Sequence, residues 1–360
     1  MSKYLLLLIF FVSSSFVFSQ NSKIADRGSR GMEFVYDMKY KEANALFDEI
    51  IKLEPKNPYG YFLKSVCYFW MFQNSPADYN IGEKYKDITF KAIDAAEEVL
   101  DKNENNIDAM FYLGGAYGNL GRYYAMNKSW IKGYWYGKKG KNYLLDVVEK
   151  DPNYYDAYLG LGIYHYYADV LPKIIKTFSF ILGIKGDREL GLRELHLAIS
   201  KSKNTKSEAM CFLGGIYIDL EKDYTKALPV FKELFEKYPN NKYAGICLAK
   251  CYWETVNYEA AIKQYRLMCD KIRDDKKYGA FYNSYGYQLL EKGFTDEAIE
   301  VFKKQVELFP NEANSYDSLG DGYRKSGKTE LAKEQYRKAL KIDPSFKASR
   351  QKLDELNHKS

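Results

Sequence analysis

The sequence predicts an all-α protein, a solenoid of about eight helix–turn–helix repeats, and three observations carry that prediction. Small residues recur in register at Ala43, Ala92, Gly140, Gly191, Ala227, Ala261, Ala298 and Ala332. Four residues after the first six stand Phe47, Ala96, Leu144, Leu195, Phe231 and Tyr265, one helical turn further along the same face. Glycines at Gly31, Gly114, Gly162 and Gly214 mark a second helix in each unit, and Leu113-Gly114-Gly115-Ala116-Tyr117 returns almost unchanged as Leu213-Gly214-Gly215-Ile216-Tyr217. Composition agrees: 46% apolar and 28% charged residues are ordinary for a folded chain, and nine prolines leave little room for a disordered linker. The 35 tyrosines suit thin layers, where a ring fills a helix interface and its hydroxyl reaches water.

Taken in order, residues 1–19 read as an export signal. Lys3 gives a positive start, Tyr4 to Val12 an apolar stretch, and Ser13 to Ser19 a small-residue stretch. Val17 and Ser19 fit the positions before a cut, which places the mature start near Gln20 and the protein in the periplasm or outside the cell. The apolar stretch is short for a bilayer span, which makes an uncleaved membrane anchor the lesser alternative. No cysteine lies near the cut to carry a lipid.

Residues 20–206 then form repeats with lengthened helices, and residues 207–346 regular ones. The spacing between anchors makes the division: 49, 48 and 51 residues from Ala43 to Gly191, then 36, 34, 37 and 34. About fifteen extra residues per long step, shared between two helices, predict about two added turns in each. Residues 347–360 supply a polar capping helix and tail, which the end of a solenoid requires.

The C-terminal register carries a family resemblance. Tyr316, Leu319, Gly320, Tyr323, Ala332, Tyr336, Ala339 and Pro344 repeat, 34 residues apart, the positions of Tyr282, Tyr285, Gly286, Leu289, Ala298, Phe302, Gln305 and Pro310. The chain resembles the tetratricopeptide repeat family, which implies a right-handed superhelix and a protein- or peptide-binding role. Residues 170–195 also look like a segment of the Iml2-type tetratricopeptide family, associated with inclusion-body clearance and lipid-linked roles. In tetratricopeptide proteins the first helix of each repeat lines the concave face through its positions 2, 5, 9 and 12. Carried over, those positions give a groove with Phe111, Tyr166, Tyr243, Lys250, Trp253, Asn283, Tyr287 and Arg324 as its binding residues. The Lys and Asn clamp that holds a C-terminal carboxylate is absent, since its slots read Asn283 with Tyr287 and Asp317 with Asp321.

Catalysis finds no constellation. His165, His196 and His358 are the only histidines, scattered too widely for a metal cluster or an acid–base pair. No phosphate-cradling loop, nucleophile elbow or H-E-x-x-H occurs. No catalytic residue, metal site or cofactor is expected, and a small-molecule substrate is not. His165 stands where other repeats place tyrosine and reads as packing, and Asp187 as a helix cap. Cys67, Cys211, Cys247, Cys251 and Cys269 read as buried small apolar residues.

The net charge of +6 is spread over mixed charges, which read as solvated helix faces and speak against nucleic acid. Two other surfaces compete with the groove. Tyr123, Tyr124, Trp130 and Trp135, with Tyr134 and Tyr136, form an aromatic group in the third hairpin, either an interface patch or rings stacking the added turns. Pro172 to Ile184 patterns as a short basic amphipathic helix, the basis of the alternative function at a membrane surface. The leading expectation is an exported, non-catalytic scaffold that binds a protein or peptide in its groove.

Overall fold

The computed structural model describes residues 22–75, 78–170, 186–272 and 279–358. The export segment 1–19 and the amphipathic segment 172–184 lie outside the described residues. Among the described residues there are seventeen α-helices and no strand. They run as antiparallel pairs: α1 (Ser22–Tyr36) with α2 (Tyr40–Leu53), α3 (Pro58–Asn74) with α4 (Tyr79–Lys102), α5 (Ile107–Met126) with α6 (Trp130–Lys150), and α7 (Ala157–Asp169) with α8 (Arg188–Lys201). Next in the chain come α9 (Lys206–Ile216) and α10 (Tyr224–Lys237), followed by the pairs α11 (Lys242–Glu254) with α12 (Tyr258–Lys271), α13 (Gly279–Glu291) with α14 (Thr295–Leu308), and α15 (Ala313–Lys325) with α16 (Thr329–Ile342). A last helix, α17 (Lys347–His358), packs on α16. The chain divides into two compact units, Met1–Leu213 and Gly214–Ser360, so the boundary falls inside α9.

The expected register is the one that folds. All eight small anchors sit on the second helix of a pair and are buried. Asn and Asp open many helices: Asn106 Oδ1 accepts from Ala109 N at 2.9 Å, Asp187 Oδ1 from Leu190 N at 2.8 Å, and Asn241 Oδ1 from Ala244 N at 2.9 Å. Each satisfies an amide that the helix itself leaves without a partner. Six of the turns between paired helices pass through the left-handed region, at Met38, Lys128, Lys222, Val256, Gly293 and Gly327. Only two of these residues are glycine, and Val256, with φ of 63°, is β-branched in a conformation that L residues with branched side chains resist.

The glycines act in two different ways, where the sequence predicted one. In the regular pairs the glycine of the first helix makes room for a ring. A Cβ on Gly214 would stand 2.7 Å from Phe231, and one on Gly320 would meet Tyr336 in the same way. In the third and fourth pairs, glycine meets backbone. A Cβ on Gly140 would stand 2.6 Å from the Gly114 carbonyl, and one on Gly191 2.8 Å from that of Gly162.

The lengthened hairpins are the second and third, whose helices run 17 and 24, then 20 and 21 residues. The fourth departs from the expectation of added turns. Its helices are 13 and 14 residues long, like those of the regular repeats. Its extra residues fall between the end of α7 at Asp169 and the start of α8 at Arg188.

Candidate functional site: the first-helix faces of the two units

In the first unit the first helices of successive pairs pack on one another, α1 on α3, α3 on α5 and α5 on α7, and in the second unit α13 packs on α15, so their outward rows form a face. In the first unit this face is filled from within. Phe111 and Tyr166 are buried, with Tyr166 fully so. Phe111 packs at 5.8 Å on Phe62 and 5.1 Å on Tyr154. Both stand among the expected groove residues, and both are covered by the chain's own packing.

The filling comes from the start of α9. Phe212 stacks on Phe69 of α3 with centroids 6.1 Å apart, and Arg122 of α5 lies over both rings, at 4.2 Å and 5.2 Å. Arg122 Nη1 donates to Glu208 Oε1 at 3.2 Å and also bonds Asn119. Asn119, fully buried, donates onward to Ser65 Oγ at 2.9 Å, and Tyr85 donates to its carbonyl at 2.7 Å. Burial lifts the Glu208 carboxyl above its ordinary value, opposed by Arg122. Asp156 holds the same helix by its end, accepting from Asn204 N and Thr205 N, both at 2.9 Å.

The second unit leaves its face partly open. Tyr243, Lys250, Asn283 and Tyr287 are half-buried, and Arg324 is exposed. Tyr243 sets its edge against Phe231 at 5.7 Å, and the Lys250 ammonium lies 5.7 Å from the Tyr224 ring. Asn283 Oδ1 accepts from Ser318 Oγ at 2.6 Å, which keeps its NH2 group for another acceptor. Trp253, also among the expected groove residues, is 7% exposed and packs against Tyr258 and Phe294.

The far end of this face is closed by the protein itself. Lys352 of α17 donates to Asp317 Oδ2 at 2.7 Å and Asp321 Oδ2 at 2.6 Å. Ser349 donates to Asp317 Oδ1, Tyr336 to Asp321 Oδ1 and Tyr287 to Asp321 Oδ2. The two carboxylates, at positions 5 and 9 of the last repeat, are thus saturated by hydroxyls and one ammonium. Burial, and then the bond to Asp321, push the Tyr287 hydroxyl well above its ordinary value, so it remains a donor. Arg324 pairs with Glu355 of α17 at 3.3 Å.

In the aromatic group, Tyr123 and Tyr124 are half-buried. Tyr124 stacks on Tyr136 at 5.3 Å, which follows the stacking reading. Trp130 and Trp135 do not stack inward and are about half exposed. His165 is more than packing, since its Nδ1 lies 2.7 Å from Glu194 Oε2. The five cysteines are buried, and burial pushes the Cys67, Cys251 and Cys269 thiols up to about 12. Among the described residues no group of His, Cys, Asp or Glu could hold a metal. A pocket of about 30 Å³ beside Asn57, Asp108 and Tyr112 has room for a water molecule.

Residues 220–283 and 313–346 each match a family model described as tetratricopeptide repeat. Among curated proteins the chain is similar to Superkiller protein 3 of Schizosaccharomyces pombe, 23% identical over 265 residues that cover 71% of this chain and 14% of that one. It is also similar to Superkiller protein 3 of Saccharomyces cerevisiae, 24% identical over 148 residues, 40% of this chain and 10% of that one. The chain therefore spans a small part of the length of these relatives. Among solved structures, the anaphase-promoting-complex assembly Cut9–Hcn1 aligns with a TM-score of 0.46 at 15% identity, covering 88% of this chain and 52% of that one. YrrB, described as a tetratricopeptide repeat protein with an unusual peptide-binding site, aligns at 0.40 and 17% identity, covering 58% and 96%.

Proposed function

For a chain that carries tetratricopeptide repeats, a fold typical of protein-interaction scaffolds, we propose that the first-helix face of the second unit binds an extended peptide segment of a partner protein. One observation carries the reading. Tyr243, Lys250 and Asn283 remain half-exposed on that face, whereas the corresponding aromatic residues of the first unit are sealed. The chemistry suits a peptide: an aromatic ring to pack on, an ammonium for a carboxylate or carbonyl, and a side-chain amide for the peptide backbone. The acids of the last repeat are already matched by α17, so the ligand lies toward α11 and α13.

The test is site-specific photocrosslinking in cells, with a benzophenone amino acid at Tyr243. The expected outcome is a discrete adduct that disappears with Lys250→Glu while helicity is unchanged. Absence of an adduct, or an equal one from the same probe at buried Tyr166, would contradict the reading.

Export is part of the proposal and is supported by the residue pattern at 1–19. Intact-mass measurement of protein from the native cell should give a chain that starts near Gln20. A chain retaining residues 1–19 would remove that part.

A further inference from the structure

We propose that the tip of the third hairpin, where α5 turns into α6, docks on an anionic lipid bilayer. This surface is separate from the peptide face and does not depend on it. Its origin is local. Gly133 and Gly140 occupy the side of α6 that meets α5, where a Cβ on Gly133 would stand 3.1 Å from the Gly121 carbonyl and one on Gly140 2.8 Å from Gly118 N. With backbone filling the interior there, the large side chains in the first half of α6 take its outer faces, whereas Leu144 and Val147 near its end are buried. One flank takes the stacked tyrosines. The other leaves Trp130 48%, Ile131 69% and Trp135 52% exposed.

Charge singles out the occupant. Residues 109–145 carry Arg122, Lys128, Lys132, Lys138, Lys139 and Lys141 and no Asp or Glu, in a chain whose charges elsewhere are mixed. Arg122 is committed to Glu208, and Lys139 stands 3.9 Å from Glu97. Among the described residues no carboxylate pairs with Lys128, Lys132, Lys138 or Lys141. Lys132 lies 5.4 Å from the Tyr124 ring and Lys138 5.6 Å from that of Trp135. Glu83, the acid from neighbouring α4, is held by Lys86 and Tyr123. Indole and aliphatic side chains interleaved with lysines match the boundary of headgroups and acyl chains, where the rings partition and the ammonium groups meet phosphates. A polyanion such as RNA would use the lysines and rings, but it offers nothing to Ile131. No described helix is long and apolar enough to cross a membrane, so the contact is peripheral.

The chain's four tryptophans make the test direct, because Trp70 and Trp253 are buried and Trp130 and Trp135 are exposed. The full chain is mixed with vesicles of phosphatidylcholine alone or with about one third phosphatidylglycerol. The expected result is flotation with the anionic vesicles only, with fluorescence quenched by brominated acyl chains. Trp130→Ser with Trp135→Ser should abolish the quenching and weaken binding at least tenfold, and Lys132→Glu with Lys138→Glu should do the same without loss of helicity. No flotation, flotation unchanged in both double variants, or equal binding to neutral vesicles would overturn the proposal. So would binding to RNA in preference to anionic vesicles.

Discussion

The two units run the same repeat grammar and treat the same surface in opposite ways. In the first, α9 lays Phe212 and Glu208 across α3 and α5, and the face becomes interior. In the second, the face keeps half-exposed polar and aromatic groups, and only its last repeat is closed, by α17. Position within a repeat therefore does not decide whether a residue is exposed. What packs over it from a distant repeat does.

That contrast can be broken most strongly at Arg122. Arg122→Ala leaves Glu208 buried without a counter-charge and should destabilise the first unit by about 3–5 kcal/mol, read as a lowered urea midpoint. Glu208→Gln removes the desolvated charge along with the pair and should cost far less. The pH dependence sharpens the same point. Glu208 has a folded value raised above the usual 4.5. Its contribution is therefore full below the unfolded value and lost as pH rises through the folded one. Urea midpoints from pH 4 to 7 should show that decline in the wild type and a flatter curve in Glu208→Gln.

Glycine substitutions come next. Gly140→Ala forces a methyl against the α5 backbone, which cannot swing aside, and should cost about 2–3 kcal/mol. Gly320→Ala meets the Tyr336 ring, a side chain and not backbone, and should cost less than Gly140→Ala in the same thermal melt. In the second unit, Lys352→Ala removes one ammonium from two carboxylates and should cost about 1.5–3 kcal/mol. The smallest effect has the opposite sign. Val256→Gly relieves a left-handed φ at an exposed turn and should stabilise by about 1 kcal/mol in chemical denaturation.

Much of the fold was legible because packing imposes it locally. Ala298 with Phe302, and Ala332 with Tyr336, must be small and large one turn apart for two helices to nest. The cap of α8 by Asp187 was readable for the same reason, since donor and acceptor lie three residues apart. The filled face was not readable. Arg122 and Glu208 are 86 residues apart, and nothing in the helical period brings them together. The basic tip was hidden by averaging, because a net charge of +6 spread over the whole chain conceals a stretch without a single acid. The fourth hairpin misled because an insertion between helices lengthens the repeat as much as added turns do.

Hydroxyl-radical footprinting of the full chain, read by mass spectrometry, tests the central contrast. The account predicts ready modification of Tyr243 and Tyr287 with strong protection of Phe111 and Tyr166. Equal modification of Tyr166 and Tyr243 would contradict it.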